Sequence, residues 1–420
     1  MGFSFLLAAF ILLPTSCQIE KGNSNPYVIN TAHLDALYGE INVEGEDIGF
    51  IHIYAEYPDY HMVGDDDEGF ACVDDASRAA IFYLRQYRNS ADPEHLRKAE
   101  MLLKFLLAMQ APNGYYYNFI WPDGSIHTDG VTTIAEANWW SWRVLWAFGE
   151  AIEILPGSHA LVPKINAQRT ILGRKILHEP SFQSETMDTT DGIVLPAWLP
   201  GGSGADQASI ILIGLSMMME EPAKNEDISR DSLMAVMRHL ADGIVMMQVQ
   251  AKDSLQDGAF LSWANLWHAY GNCQSYALLK VSQLLGEERY ASNAIYELDH
   301  FYPALQDVGG LDLFWVRKVD NKIVRKETKV FSQIAYGKRP MIFAAIAAFE
   351  ITGDEKYLLL AKEIAKWFAG ENIAKTVMYD PVSGRGYDGI LSDSEINKNA
   401  GAESTIEALL SIQALAKYEK

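Results

Sequence analysis

The chain has 420 residues, 49% of them hydrophobic and 21% charged, which is enough apolar material for a large buried core. Its 55 acidic residues outnumber its 34 basic residues, so the formal net charge is -21. A chain this acidic is a poor nucleic-acid binder, and an anionic substrate would need a local cluster of arginine or lysine. We therefore predict no nucleic-acid partner.

The first segment is an apolar run over residues 3–13, which has the length of a signal-peptide core and is too short to span a bilayer. Small residues then precede Cys17, as in bacterial lipoprotein signals. We expect residues 1–17 to be a lipoprotein-type signal and residues 18–28 a polar tether. The protein would be exported, and a lipid on Cys17 would be its one contact with the membrane. The alternative is a simple cleaved secretory signal.

The rest of the chain, 29–420, is predicted to be one domain, because no linker-like composition or charge block interrupts it. Its apolar residues follow a helical period through most of its length. The pattern predicts a short helix near 30–39 and longer ones near 74–88, 93–110, 133–154, 161–177, 205–220, 228–250, 270–285, 288–302, 332–352, 355–370 and 401–418. A β-branched and aromatic stretch over 49–54 predicts a strand.

Loops that combine glycine with aromatic residues separate the predicted helix pairs, over 112–117, 257–263, 309–315 and 380–389. Connections within the pairs are short, which makes paired helices antiparallel neighbours. We expect six such hairpins to close into a ring, giving an all-α (α/α)6 toroid with short β decorations at one polar, aromatic mouth. The alternative is an open α-solenoid.

The densest group of candidate catalytic residues lies at the start of the helix predicted near 74–88. Asp74 and Asp75 open this helix, and one carboxylate is enough to stabilise its positive end. The second is available for acid-base chemistry, and Arg78, one turn later, would orient it or bind a substrate carboxylate. The acidic run 65–68 is interpreted as a solvated loop, since its carboxylates do not alternate as in a calcium site.

A second group surrounds the start of the helix predicted near 133–154. Glu136 and Asn138 would face the mouth, with Glu136 a candidate catalytic carboxylate. Trp139 and Trp140 would stack on sugar rings, since aromatic faces with a few polar groups are typical of ligand pockets. Packing in the core is the alternative for the tryptophans.

Two further groups stand before later helices. Asp206 follows a glycine-rich turn, and Trp263 and His268 belong to an aromatic stretch ahead of the helix predicted near 270–285. A helix-dipole role for Asp206 and a buried structural role for His268 are the alternatives.

The last group contains Tyr387 and Asp388, followed by Glu403 in the first turn of the final helix. By the same reasoning as for Asp74, Glu403 is a candidate catalytic carboxylate, with dipole stabilisation as its alternative. All these groups lie near the starts of helices that we place in the inner layer of the ring, which would gather them at one mouth.

These motifs together resemble the six-hairpin glycosidase superfamily, the (α/α)6 toroids. The stretches that carry the resemblance are 72–79, 136–140 and 401–405. The resemblance covers most of the chain after residue 28 and implies a sugar site at the mouth, usually with acidic catalysts. Known members include unsaturated glucuronyl hydrolases, other glycoside hydrolases and some polysaccharide lyases.

Three functions remain open at this point. The first is an exported glycoside hydrolase in which Asp74 or Asp75 works with Glu136 or Glu403 on an oligosaccharide. The second is a polysaccharide lyase or sugar epimerase, which would use His or Tyr as the base. The third is a non-catalytic glycan-binding lipoprotein. The chain has no cysteine pair with metal spacing and no His-Glu-x-x-His motif, so we predict neither metal nor cofactor. Its oligomeric state is left open.

Overall fold

The computed structural model describes residues 28–43, 45–220 and 228–419, with Glu220 described by its backbone alone. The predicted signal and all of the predicted tether except Val28 lie outside these ranges. Twelve helices organise the described chain: α1 Ala32–Leu37, α2 Val73–Ser90, α3 Pro93–Ala108, α4 Trp139–Ile154, α5 Val162–Leu177, α6 Ala205–Glu220, α7 Arg230–Met246, α8 Gln274–Leu285, α9 Glu288–Asp307, α10 Arg339–Thr352, α11 Glu355–Ala365 and α12 Ala402–Ala416. A further short turn, Pro200–Ser203, is broken by two glycines at positive φ.

The even-numbered helices form an inner ring in which each packs on the next, and α12 packs back on α2. The odd-numbered helices lie outside, with α3 on α2, α5 on α4, α7 on α6, α9 on α8, α11 on α10 and α1 on α12. The ring is therefore closed by six helix hairpins. This confirms the predicted (α/α)6 toroid and excludes the open solenoid.

The two layers differ in sequence because they differ in burial. In the inner helix α10, every residue from Arg339 to Ala348 is buried, whereas the outer helix α3 buries one face through Ala99, Leu102, Leu103 and Leu106. A helix covered on all sides is apolar all round, and one exposed to water is amphipathic. The start of α3 follows capping chemistry, since the Asp92 side chain accepts from the Glu94 amide at 2.9 Å.

Short strand pairs decorate the ring, as predicted, and they lie in the connections between helices. The strand predicted over 49–54 is Glu46–Ile51, shifted three residues toward the amino terminus, and it pairs with Tyr38–Val43. The other pairings are Tyr54–Glu56 with His61–Val63, Ala71–Cys72 with Phe119–Ile120, Met187–Thr190 with Ile193–Pro196, Leu266–His268 with Leu313–Val319 and Lys322–Lys329, Tyr379–Asp380 with Arg385–Gly386, and Gly389–Ile390 with Ile396–Asn397.

Three inner helices begin later than their periodicity predicts. Helix α4 begins at Trp139 and not at 133, α8 at Gln274 and not at 270, and α10 at Arg339 and not at 332. At α4 the reason is the Asn138 side chain, which accepts from the Trp139 amide at 2.8 Å and caps the helix there. The residues upstream are therefore in the loop that leads to the mouth.

Cys72 and Cys273 are both free and buried, as expected of small apolar side chains. Within the described ranges, no helix combines the length and the apolar character needed to cross a membrane. Nor do these ranges contain a group of three or more His, Cys, Asp or Glu side chains placed to hold a metal ion.

Candidate active site

The candidate site lies where the amino-terminal ends of α2, α4, α10 and α12 meet. Because every inner helix starts at the same end of the ring, side chains from the first turns converge there. They form a cluster of three guanidinium and four carboxyl groups, which we call the mouth cluster: Asp74, Asp75, Arg78, Arg143, Arg339, Glu403 and Glu407.

Arg78 is at the centre of the mouth cluster. Its side chain is 3% exposed, and its Nη2 lies 2.6 Å from Asp75 Oδ1. Its Nη1 donates to Glu403 Oε2 at 3.1 Å and to Glu407 Oε1 at 3.0 Å. Arg78 thus joins helices α2 and α12 across the point where the ring closes, and it is the counter-charge of the buried Asp75 carboxyl.

Arg143 pairs with the remaining carboxyl group of the cluster, Asp74, and Arg339 is a second partner of Glu407. Arg143 Nη1 lies 2.7 Å from Asp74 Oδ2, and Arg339 Nε pairs with Glu407 Oε2. The Tyr336 ring lies beneath all three guanidinium groups, about 5 Å from each, and its hydroxyl hydrogen-bonds to Arg143. Cationic groups over an aromatic face are favourable, particularly when desolvated.

A cavity of about 480 Å³ opens beside the cluster. Its lining combines aromatic rings with carboxyl and amide groups, and consists of Glu68, Asp74, Asn118, Phe119, Thr132, Trp139, Trp140, Arg143, Tyr270, Ile334, Tyr336 and Glu403. Of the four predicted catalytic residues, Asp74 and Glu403 therefore share one cavity although they are more than 300 positions apart. Trp139 and Trp140, two predicted sugar-binding residues, belong to the same wall.

The two cavity carboxyl groups differ in their surroundings. The Glu403 side chain keeps 42% of its surface accessible because it faces the cavity, yet the protein around it raises its pKa, against the opposing attraction of Arg78. The Asp74 side chain is 21% exposed and ion-paired through Oδ2, while its Oδ1 is shielded from solvent and has no hydrogen-bond partner in the described structure.

Asp75, the third predicted catalytic residue, is buried behind the cavity wall. Burial raises the pKa of its carboxyl, with Arg78 opposing, and the Cys72 thiol donates to Oδ2 at 3.3 Å. With four carboxyl and three guanidinium groups, the mouth cluster carries one excess negative charge if all are ionised. The raised pKa values of Asp75 and Glu403 both favour keeping one proton in the cluster.

Glu136, the fourth predicted catalytic residue, lies apart from these groups. It is exposed in the loop before α4, and its carbonyl accepts from the Ser141 hydroxyl at 3.1 Å. Asn138 is half-buried and caps α4. Neither side chain lines the cavity.

Asp206 and His268 form a buried pair near the same end of the ring. His268 Nε2 lies 3.0 Å from Asp206 Oδ2, and the other ring nitrogen of His268 has no hydrogen-bond partner in the described chain. Tyr270 stacks on His268 with ring centroids 3.8 Å apart, and Tyr270 is the member of this group that lines the cavity. Trp263 is 50% exposed, and its indole N–H donates to the Gly201 carbonyl at 3.0 Å.

Asp388 holds the start of α12. Its Oδ1 accepts from the Gly401 amide at 2.9 Å and the Ser404 hydroxyl at 2.8 Å. Burial raises the pKa of this carboxyl, and the two hydrogen bonds oppose the rise. Tyr387 packs against the core and is half-buried. Asp388 therefore positions the turn that carries Glu403.

Several cavity residues were absent from the sequence-based candidates. Glu68 was assigned to a solvated loop, but its side chain is half-buried and lines the cavity, whereas residues 65–67 are exposed. The following residue, Gly69, has φ +113° and lies against the Ile120 carbonyl, where any side chain would clash. Gly69 is therefore the feature of the sequence that indicates close packing of this loop against the backbone of Ile120. The sequence around Tyr336 and Tyr270 has no comparable feature that would place them in the cavity wall.

The closed ring of six hairpins is an (α/α)6 toroid, and it has an acidic and aromatic cavity at the starts of its inner helices. No protein-family model matches the chain, and no curated protein is significantly similar to it in sequence. Among solved structures, a sugar epimerase from a ruminal bacterium is similar with a TM-score of 0.59 and 13% identity, over 92% of this chain and 96% of that one.

Two other solved structures are similar over most of the chain. A cellobiose 2-epimerase from Bacillus thermoamylovorans has a TM-score of 0.58 and 13% identity, over 88% of this chain and 92% of that chain. A family 76 glycoside hydrolase from a bovine Bacteroides thetaiotaomicron strain has a TM-score of 0.56 and 11% identity, over 91% of this chain and 75% of that one. At these identities, the similarity establishes the shared fold.

Proposed function

We propose that the protein is a glycoside hydrolase that cleaves oligosaccharides in the mouth cavity. The observation that carries this proposal is that Asp74 and Glu403, from different helices, line one aromatic cavity in unlike electrostatic surroundings. Glycoside hydrolysis generally needs two carboxyl groups in different roles, one protonated and one ionised. Environments that separate the behaviour of two carboxyl groups mark such a pair.

Glu403 is the proposed general acid. Its raised pKa favours the protonated form to higher pH than for an ordinary glutamate, and its side chain faces the cavity. It would donate its proton to the glycosidic oxygen as the bond from that oxygen to the anomeric carbon breaks. Arg78, 3.1 Å away, would then stabilise the carboxylate that forms.

Asp74 is the proposed partner on the anomeric carbon. It is ion-paired with Arg143 through Oδ2, and the unpartnered Oδ1 is an acceptor that a water or sugar hydroxyl would satisfy. As a base, Asp74 would take a proton from water as the water oxygen bonds to the anomeric carbon. As a nucleophile, it would bond to that carbon itself, and water would release the sugar in a second step.

The cavity favours a neutral sugar unit. Trp139 and Tyr270 contribute aromatic surface, which suits the apolar faces of a pyranose. The one arginine in the lining, Arg143, is already paired with Asp74. A uronate carboxylate in the cavity would therefore lie beside Glu68, Asp74 and Glu403. Each arginine of the mouth cluster is already paired with a carboxyl group of the protein, so none would be free to balance the added charge.

The test is product analysis after incubation with a panel of neutral and uronate-containing oligosaccharides. Wild type should release new reducing ends, and Asp74→Asn and Glu403→Gln should each lose that activity. Glu136→Gln is the matched control, because this carboxylate lies outside the cavity lining, and it should retain activity. Unsaturated, ultraviolet-absorbing products would instead indicate a lyase. Binding without turnover would indicate a non-catalytic glycan-binding protein.

A sugar epimerase is the second candidate, supported by the buried Asp206–His268 pair behind Tyr270. A histidine held by a carboxylate is a common general base. An epimerase that removes a proton from carbon would incorporate solvent deuterium into its product, which a hydrolase would not do at a sugar carbon. Retention of turnover in Asp206→Asn without deuterium incorporation would reject this candidate.

We also propose that the protein is exported and anchored through a lipid on Cys17, which lies outside the described residues. The support is the apolar run and the small residues that precede this cysteine. Metabolic labelling with a fatty acid in a bacterial host should mark the wild type and leave Cys17→Ala unlabelled. Label in neither protein, with the protein recovered in a soluble exported fraction, would support the simple cleaved signal.

A further inference from the structure

A group of aromatic and basic side chains lies beside the turn that begins α12. We call it the ledge and define it as Tyr54, Tyr57, Tyr60, Arg385 and Lys398. Three of its members lie on or between the paired strands Tyr54–Glu56 and His61–Val63, and the other two come from the connection before α12.

Backbone hydrogen bonds fix the ledge to the first turn of α12, which carries Glu403. The Ala402 amide donates to the Ile53 carbonyl at 3.0 Å, and the Ala400 amide donates to the Ala55 carbonyl at 3.0 Å. On the other side, Gly386, which follows Arg385, lies against the backbone of Ser404. The ledge therefore lies beside the turn that carries Glu403.

The two cations of the ledge differ from those of the mouth cluster because no carboxylate pairs with them. The Arg385 guanidinium lies 3.9 Å from the centroid of the Tyr60 ring, and Lys398 Nζ lies 5.4 Å from that of Tyr57. Within the described chain, neither has an ion-pair partner within 4.0 Å. The tyrosine rings thus hold both cations while leaving their charge available to a ligand.

Two nearby acidic groups, Asp380 and Asp59, hydrogen-bond to other partners. Asp380 accepts from the Val382 amide at 2.9 Å and the Ser383 hydroxyl at 2.5 Å. Asp59 Oδ1 lies 2.8 Å from His61 Nδ1. In a chain with a net charge of -21, this is the kind of local basic group that an anionic ligand would need.

Two tyrosines of the ledge present accessible rings. Tyr57 is 52% exposed and Tyr54 is 41% exposed, and the rings of Tyr57 and Tyr60 meet edge to face with centroids 6.0 Å apart. Burial, together with nearby Glu68 and Asp65, raises the pKa of Tyr54 to about 12. Of these two acidic neighbours of Tyr54, Glu68 lines the cavity.

We propose that the ledge is an outer sugar subsite that binds a unit with an anionic substituent, a uronate carboxylate or a sulfate ester. Arg385 and Lys398 would bind the anion, and the tyrosine rings would pack on the sugar. That the ligand is a glycan rests on the proposed function. The preferred substrate would then carry a neutral unit in the cavity and an acidic unit on the ledge.

The test measures binding in a Glu403→Gln background, which keeps bound glycans intact. An array of neutral, uronate-containing and sulfated oligosaccharides would be probed with this protein, and the best ligand of each class measured by calorimetry. Arg385→Gln and Lys398→Gln would be added separately. Arg317→Gln is the matched control, because Arg317 is exposed on the strand Leu313–Val319 and its loss changes the net charge equally. Circular dichroism would verify folding of each variant.

We expect acidic glycans to bind, and Arg385→Gln to weaken them by about 10- to 100-fold, as for the loss of charge-assisted hydrogen bonds. Neutral glycans and the Arg317→Gln control should change by less than about threefold, the effect of an exposed charge. If the protein binds only the uronate-containing glycans, or only the sulfated ones, that result identifies the anion that the ledge recognises. Absence of acidic ligands, or acidic affinity unchanged in both ledge variants, would overturn the proposal. Acidic binding without hydrolysis by the wild type would reject only the proposed catalysis.

Discussion

Replacing Arg78 with methionine should strongly destabilise the protein, because Arg78 is the central cation of the mouth cluster and the counter-charge of the buried Asp75 carboxyl. Its side chain is 3% exposed and contacts Asp75, Glu403 and Glu407. Glu407 would keep Arg339 as a partner, but Asp75 would lose the only ion pair described for it. Breaking a buried pair on one side costs about 3–5 kcal/mol.

The magnitude translates directly into a thermal shift. With an unfolding entropy of about 2.1 cal/mol/K per residue, a chain of this size has about 0.9 kcal/mol/K in total. A loss of about 4 kcal/mol therefore lowers Tm by about 4–5 °C. Arg97→Met is the matched control, because Arg97 also bridges two carboxylates, Glu40 and Glu94, but is 45% exposed. Surface pairs contribute about 0–1 kcal/mol, so its Tm should fall by about 1 °C or less.

The decrease in the free energy of unfolding caused by Arg78→Met should also depend on pH. Without Arg78, the pKa of the buried Asp75 carboxyl, already raised in the folded state, rises further. A carboxyl with a raised folded pKa contributes stability below its unfolded pKa and loses it as pH rises through the folded value. The difference in the free energy of unfolding between wild type and variant, measured by urea unfolding, should therefore be larger at pH 8 than at pH 4.5. A loss under about 1 kcal/mol at pH 8, equal to that of Arg97→Met, would refute this reasoning.

Three further predictions concern other parts of the ring. Burial raises the pKa of Glu297 to about 7, so its stabilising contribution is present below its unfolded pKa and is lost as pH rises through 7. Glu297→Gln should therefore be less sensitive to pH than wild type in urea unfolding between pH 6 and 8.5; equal slopes would contradict this. Gly386→Ala would place a Cβ 2.4 Å from the Ser404 carbonyl oxygen, which should lower the free energy of unfolding by about 1–3 kcal/mol. The clash should also reduce turnover, because it shifts the turn that carries Glu403. Unchanged turnover would argue against a link between Gly386 and the position of Glu403. Asn138→Ala should cost about 1 kcal/mol through loss of the α4 cap, with sugar affinity unchanged; weakened affinity at full stability would restore its predicted binding role.

The fold could be predicted because burial leaves a periodic record in the chain. Inner helices such as α10 are apolar all round and outer helices such as α3 are apolar on one face, so the hairpins and their layers are visible from the residues alone. Ring closure then explains why Asp74 and Glu403 share a cavity. Each opens an inner helix, and α12 packs beside α2.

The partners of these residues could not be predicted in the same way. The pairing of Arg78 with Glu403 and Glu407 joins positions 325 and 329 residues apart, and it depends on side-chain geometry that only the closed ring creates. Glu136 was predicted to face the mouth because α4 was expected to begin at 133. The Asn138 cap sets the start at Trp139, so Glu136 remains in an exposed loop. Glu68 lines the cavity because of the conformation of its loop, and the run of acidic residues before it predicts only a solvated loop.

The most direct measurement compares Glu403→Gln on two glycosides of the sugar that the panel identifies, one with an ordinary sugar leaving group and one with a dinitrophenyl leaving group. A general acid is needed for the first and hardly for the second, whose leaving oxygen departs without a proton. We predict a fall in kcat/KM of about 10²–10⁴-fold on the sugar leaving group and a much smaller fall on the dinitrophenyl glycoside, with Asp74→Asn impaired on both. Equal losses by Glu403→Gln on the two substrates, or no loss on either, would contradict the assignment of Glu403 as the general acid.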